Sequence, residues 1–315
     1  MKIIFLGTPQ IAVKSLECLI NKDDVEVVAV ITQPDKPAGR GKHLCAPPIK
    51  QKAQEYNIPV YQPVSIRKDL ELISILKELK PDFFVTFAFG QILSQEVIDI
   101  PKYGCINLHA SLLPKYRGAN PIQSAIINGE KKTGITTMLT ELSLDTGPIV
   151  LQEEIELTDS MVTGDLCGII AQRSPELIYK SLKGLKDGII VPTPQDSNQA
   201  TYTPKLKKED GLIDWAESAQ SIHNKVRGLK PWPEAFTYIK NTCIKITETK
   251  LNSEKIIKSG AVGEILCKIK DGILVQTGED SIIVTRVQPA CKKEQDAVSW
   301  YNGARLQEGE GFKGG

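Results

Sequence analysis

The sequence predicts an α/β protein with a mostly parallel sheet covered by helices on both faces, followed by a small β-barrel domain. Three observations carry this expectation. Up to about residue 130, apolar β-branched and aromatic runs alternate with stretches of helical spacing, the order that crossover units give. The runs are apolar throughout rather than alternating, as strands covered on both faces require. Beyond PTPQDSNQATYTPKLKKEDG (192–211), rich in Pro, Ser, Thr, Asn and Lys, the chain changes to short β-rich segments at fairly even spacing.

KIIFLG (2–7) is the first strand and ends in Gly7. Thr8 is a fair helix N-cap and Pro9 fits the first helical position, with Ile11, Leu16, Leu19 and Ile20 on helical spacing behind them. VEVVAVIT (25–32) is a second strand. Leu70, Leu72, Ile73, Leu76 and Leu79 mark a helix that stops before Pro81. DFFVTFAF (82–89) and GCINLHA (104–110) are the third and fourth strands, and the whole reads as Rossmann-like. GITTMLTEL and PIVLQEEIEL, joined through SLDTG, read as two longer strands at the edge of that sheet, and Thr163–Leu185 as a helix. The domains expected are 1–190, a linker over 191–208, and 209–315. The last contains a short helix near Ser218–Arg227 and the strands AFTYIK, CIKITETKL, GAVGEILCKI, GILVQTG and SIIVTRVQPA. The closing GEGFKGG carries no pattern.

Composition excludes several classes. The chain has 315 residues, 41% hydrophobic and 24% charged, which is an ordinary globular balance. With 39 Lys and Arg against 38 Asp and Glu, any basic binding surface has to be local. Seven cysteines at irregular spacing, with no CxxC, argue against a disulfide framework and a zinc site, and no metal is expected. The opening MKIIFLGTPQ is too short an apolar stretch for a signal peptide, and no run of 18 apolar residues occurs. A cytoplasmic protein with no membrane partner is the expectation.

The Gly7-Thr8-Pro9 turn is neither GxGxxG nor a Walker motif, so it reads as a strand-to-helix turn and disfavours a dinucleotide dehydrogenase. Of the three histidines, His43 sits in a polar loop and His223 in a helical pattern, "SAQSIHNKVRGL". His109 differs. In "CINLHASLLPKYRGANP" it shares side-chain parity with Asn107 on one strand, so both face the same way. On local evidence a satisfied core histidine and a site histidine stand equal. The strand's carboxyl end tips the balance, because ligands of open α/β sheets bind there. An amide donor beside an imidazole suits a carbonyl oxygen that gains negative charge. Asp145, in "LSLDTGPIV", is on its own a turn residue before Thr146 and Gly147.

At this point the residues resemble a known family, the formyltransferases that use 10-formyltetrahydrofolate. "INLHASLLPKYRGANPIQSAIINGE", followed by "TGITTMLTELSLDTGPIV", is similar to their catalytic core almost without gaps. The resemblance implies Asn107, His109 and Asp145 as the catalytic set. It implies Ser111, Leu112, Leu113 and Pro114 as a folate-contacting turn, with Phe89, Gly90, Gln91 and Ile92 as a weaker pteridine wall. Two features resemble the branch acting on methionyl initiator tRNA. One is the loop TQPDKPAGRGKHLCAPPIK (32–50). The other is "IDWAESAQSIHNKVRGLKPWPEAFTYI" with the β-rich tail, similar to an OB-like tRNA-binding domain. Glycinamide ribonucleotide formyltransferases lack that C-terminal part. The alternative is a formyltransferase acting on a nucleotide-linked amino sugar, which shares the core.

What the branch implies is transfer of the formyl group from 10-formyltetrahydrofolate to the α-amino group of methionyl initiator tRNA, by a monomer. Asn107 would donate to the growing oxyanion, His109 would donate or move a proton, and Asp145 would orient His109. Arg40, Lys36 and Lys42 in the loop, with Lys205, Lys207, Lys208, Arg227 and Lys230 beyond it, would contact the RNA backbone.

Overall fold

The computed structural model describes residues 1–38, 43–253 and 258–313. The chain divides into two compact units: residues 1–121, 132–156 and 167–203, and residues 122–131, 157–166 and 204–315. Residues 191–203, which composition marks as linker, therefore lie in the first unit. Part of the reason is a short parallel pairing of Tyr202–Thr203 with Arg117–Gly118.

The first unit is built on a seven-stranded sheet. From edge to edge its strands are Ile149–Glu156, Lys132–Leu139, Cys105–His109, Phe83–Phe87, Lys2–Gly7, Glu26–Ile31 and Val60–Tyr61. The last five run parallel, Lys132–Leu139 runs antiparallel to its neighbour Cys105–His109, and Ile149–Glu156 runs antiparallel to Lys132–Leu139. Ile3, Ile4, Phe5 and Leu6 are all inaccessible to solvent, which explains why this strand shows no alternation. Ile4, Leu6 and Phe84 pack with Leu72, Ile73 and Leu76 of the helix Leu70–Glu78. Each such side chain contributes about 1.5–3 kcal/mol by leaving water. That helix starts where the Asp69 carboxylate accepts from the Leu72 amide at 3.0 Å.

Two local expectations are corrected. Thr8 does not cap a helix: its hydroxyl donates to the Phe89 carbonyl at 3.0 Å, and the chain passes through a 3-10 turn, Gln10–Ala12, before the helix Val13–Ile20. Holding two strand ends together outcompetes the local cap. The 32–50 loop also contains paired backbone, with Lys36–Ala38 antiparallel to His43–Cys45. Asp35 sits at its base and takes the Lys50 ammonium at 2.8 Å and the Gln62 amide at 2.7 Å. Lys36 is exposed on this stem. Arg40 and Lys42 lie outside the described residues.

In the second unit the strands run Ala235–Ile239, Thr242–Leu251, Ser281–Pro289, Gly272–Gln276, Ile265–Ile269, all antiparallel. The helices Ala219–Gly228 and Ala297–Gly303 contribute Ile222, Val226 and Trp300 to a core shared with Ile246, Ile282 and Val284. The patternless chain end is part of this core. Phe312 stacks on Trp215 at 5.1 Å and on Trp300 at 6.0 Å. Lys313 bridges to Tyr238 at one edge of the sheet and Gly311 bridges to Glu264 beside the other, so residues 311–313 join both edges. Among the described residues no helix is long and apolar enough to cross a membrane.

Candidate active site

The strand Cys105–His109 is flanked by Phe83–Phe87 and Lys132–Leu139. Register sets Asn107 opposite Thr86 on one side and Met138 on the other, and sets His109 opposite Thr136. Asn107 is half-buried. Its Oδ1 lies 2.8 Å from the Thr86 hydroxyl, and its Nδ2 has no acceptor among the described residues. That leaves an amide donor free at the carboxyl end of a central strand.

His109 is 6% exposed, and its Nε2 donates to the Tyr116 carbonyl at 2.8 Å. Tyr116 has a φ of 62°, in the left-handed region. Its amide donates to Thr201 Oγ1 at 2.8 Å, which holds the peptide in that conformation. With Nε2 committed, Nδ1 is the remaining imidazole nitrogen, and it lies 3.6 Å from Asp145 Oδ2, an ion-pair separation rather than a hydrogen bond.

Asp145 is far more constrained than a surface turn residue. Its φ is 54°, and its Oδ2 accepts from the Gly118 amide at 2.8 Å. Its own carbonyl and that of Gly147 accept from Gln195 Nε2 at 2.9 and 2.7 Å. Gly147 is required by close approach, since a Cβ there would stand 1.7 Å from the Leu139 carbonyl oxygen. Gln195 Oε1 in turn takes two N–H groups of Arg117, at 3.1 and 2.8 Å, and the third guanidinium contact is to the Tyr202 hydroxyl at 3.2 Å. Arg117 is 1% exposed, so its guanidinium is an internal brace.

The turn Ser111–Pro114 hangs on Thr136. The Thr136 hydroxyl donates to the Ser111 carbonyl at 2.6 Å and accepts from the Leu113 amide at 3.2 Å. Gln152 Nε2 reaches both Leu113 O and Thr136 Oγ1 at 2.9 Å. Ser111 is fully buried with its hydroxyl on the Lys115 carbonyl, Leu113 is buried, and Leu112 is half-buried. The other proposed wall divides. Phe89 is 4% exposed and belongs to the core with Leu72 and Leu76, so its side chain packs and offers no open face. Gly90 turns with a φ of 81°, Gln91 hooks the Ile66 amide and the Pro63 carbonyl, and Ile92 stands exposed.

Thr86, Thr136, Gln152 and Gln195 are the residues the sequence pattern does not single out. Thr86 and Thr136 carry a weak signal, a lone hydroxyl residue inside FFVTF and a pair inside GITTML. Gln195 carries none. Cys105, two residues from Asn107, is no nucleophile, because burial pushes its thiol up to about 12.

Lys205, Lys207 and Lys208 are exposed and Lys230 is half-buried. Arg227 corrects the expectation of a phosphate contact. It is 5% exposed, with its guanidinium on Asn224 Oδ1 and on the carbonyls of Thr158 and Met161. Burial lowers its pKa, against the pull of Asp159. A cavity of about 810 Å³ in the second unit, lined by Lys131, Asp159, Gln220, Ser221, Asn224 and Lys225 among others, contains none of the candidate catalytic residues.

The sequence pattern of the Formyl transferase family matches residues 1–182, and that of the Formyl transferase, C-terminal domain, matches residues 205–305. The chain belongs to the formyl transferase family. Within that family it is similar to the methionyl-tRNA formyltransferase of Clostridium perfringens, strain SM101, at 48% identity over 99% of this chain and 100% of that one. It is also similar to that of Acetivibrio thermocellus, at 46% identity over 98% and 99%. Among solved structures, a sugar 3N-formyl transferase crystallised with dTDP and 5-N-formyl-THF gives a TM-score of 0.68 at 21% identity, over 93% of this chain and 99% of that one. An N-formyltransferase from Helicobacter canadensis, with folinic acid and dTDP-3-aminofucose, gives 0.69 at 22%, over 92% and 99%. At these identities the likeness is one of fold.

Proposed function

We propose that this chain transfers the formyl group of 10-formyltetrahydrofolate to the α-amino group of methionyl initiator tRNA. What supports this most is the convergence of Asn107, His109 and Asp145 in a chain that matches methionyl-tRNA formyltransferases along nearly its whole length. The folate supplies the formyl carbon. The methionyl amine must be neutral to attack it. As the new C–N bond forms, charge grows on the formyl oxygen, and the free Nδ2 of Asn107 is the donor for it. The C–N10 bond then breaks, and the proton lost by the amine ends on N10.

His109 is the group for that proton's passage. Its Nε2 stays on the Tyr116 carbonyl, so Nδ1 is the nitrogen that takes and returns it, on the side facing Asp145. Asp145, pinned by Gly118, stabilises the imidazolium that forms. Ser111–Pro114 shape the folate side, with Gly90, Gln91 and Ile92 beside them. For the tRNA, the exposed Lys36, Lys205, Lys207 and Lys208 remain as phosphate contacts. Such an enzyme works in the cytosol, where translation starts.

The test is a transfer assay with 10-formyltetrahydrofolate and either methionyl initiator tRNA or a nucleotide-linked amino sugar. Formyl-methionyl-tRNA is the expected product. Formylated sugar alone, or tRNA binding with no product, overturns the reading. Asn107→Ala is expected to fold and to lower kcat by about 10²–10³-fold, the loss typical of one oxyanion donor.

A further inference from the structure

We infer that Thr86 is a positioning residue for the transfer: its hydroxyl sets which end of the Asn107 amide faces the reacting oxygen. The inference rests on the proposed role of Asn107 and deepens it.

An asparagine amide has nearly the same shape either way round, yet its two ends are opposite in polarity. Presented by Nδ2, it stabilises a growing negative charge. Reversed, it presents Oδ1 and repels the same charge. A catalytic asparagine therefore needs a neighbour that can tell oxygen from nitrogen. Thr86 is that neighbour. It stands opposite Asn107 in parallel register on the adjacent strand, and it is 6% exposed. Its hydroxyl lies 2.8 Å from Asn107 Oδ1 and 3.3 Å from the Ile106 carbonyl oxygen. Both are acceptors, the hydroxyl has a single proton to give, and the shorter contact is to the amide.

The rest of the strand, Phe83, Phe84, Val85 and Phe87, is apolar and buried, so no other side chain of that strand can substitute.

The experiment uses four variants of the full chain, assayed by single turnover and at steady state with 10-formyltetrahydrofolate and methionyl initiator tRNA. Thr86→Val keeps the shape and removes the hydroxyl. It is expected to lower kcat by roughly 10–100-fold, short of the loss of the whole donor, with KM for both substrates unchanged. Thr86→Ser restores the hydroxyl and is expected to recover most of kcat. In an Asn107→Ala background, Thr86→Val is expected to cost nothing further, because the group it orients is gone. Full kcat in Thr86→Val overturns the inference. So does an equal loss with Asn107 present or absent, which marks damage to the strand. Full activity in Asn107→Ala alone removes the reading of Asn107 itself, a result separable from failure at Thr86.

Discussion

Arg117 and Arg227 are both buried guanidinium groups, and they differ in what their acceptors hold. Each is a basic residue next to a glycine, and only Arg227 was expected to contact RNA. Both are buried, at 1% and 5% exposure. Arg117 is braced by Gln195, and Gln195 also holds the carbonyls of Asp145 and Gly147. Arg227 is braced by Asn224 and by carbonyls at Thr158 and Met161, none of them a candidate site residue. A buried guanidinium acts through whatever its acceptors hold in place. One arginine supports the turn that carries the carboxylate proposed as catalytic, and the other supports only the architecture of its own unit.

The comparison breaks most easily at Gln195. Gln195→Leu leaves the Arg117 guanidinium without its main acceptor, and hydrogen bonds to charged groups are worth about 1.5–3 kcal/mol each. Stability should fall by at least that much, read as a lower denaturant midpoint. Under conditions where the variant is folded, kcat should fall too, because Asp145 loses its anchor. Arg227→Met strands three acceptors and should cost about 1–3 kcal/mol of stability with kcat unchanged. If both variants lose stability and neither loses kcat, the distinction between the two arginines is void.

How much of this could be read beforehand follows from what each feature depends on. The sheet was legible because burial on both faces leaves continuous apolar runs such as IIFL and FFV. Asn107 and His109 were legible because two polar groups at the end of such a run have to find partners. Asp145 needed the family resemblance, since LDTG by itself describes a turn. Gln195 was not legible at all: it lies fifty residues from Asp145 in a polar stretch, and only the folded chain brings them together. Arg227 misled because sequence gives a charge and not its exposure. Phe312 was silent because a single aromatic among glycines has no period, although it stacks between two tryptophans.

Exposed lysines sharpen the contrast with smaller effects. Lys205, Lys207 and Lys208 are solvated, and each alone should be nearly silent. Replacing all three by alanine should raise KM for the tRNA with little change in kcat or melting temperature. The slope of log affinity against log salt should become shallower, by about 0.7–0.9 for each phosphate that is no longer neutralised. Arg227→Met should leave that slope alone. A slope that responds to Arg227 and ignores the lysines would return the buried arginine to the RNA surface.

The smallest effect is a pH dependence beside Arg227. His223, one turn earlier in the same helix, has Nδ1 2.9 Å from Thr249 Oγ1, and its Nε2 is 3.2 Å from the Asp159 carbonyl oxygen. Burial pushes its imidazole below the ordinary 6.5; the Asp159 carbonyl opposes this and the Arg227 charge adds to it. A depressed folded value means that, between that value and 6.5, the unfolded chain binds a proton the folded chain refuses. His223 therefore makes no pH-dependent contribution above 6.5, and stability falls as pH drops below it until the folded imidazole is protonated as well. Denaturant midpoints from about pH 7.5 to about pH 5 should decline less in His223→Gln than in the unmodified chain. In Arg227→Met, where one lowering influence is gone, the decline should be smaller than in the unmodified chain. A flatter curve in His223→Gln alone, with Arg227→Met parallel to the unmodified chain, would show that the charge of Arg227 does not reach His223.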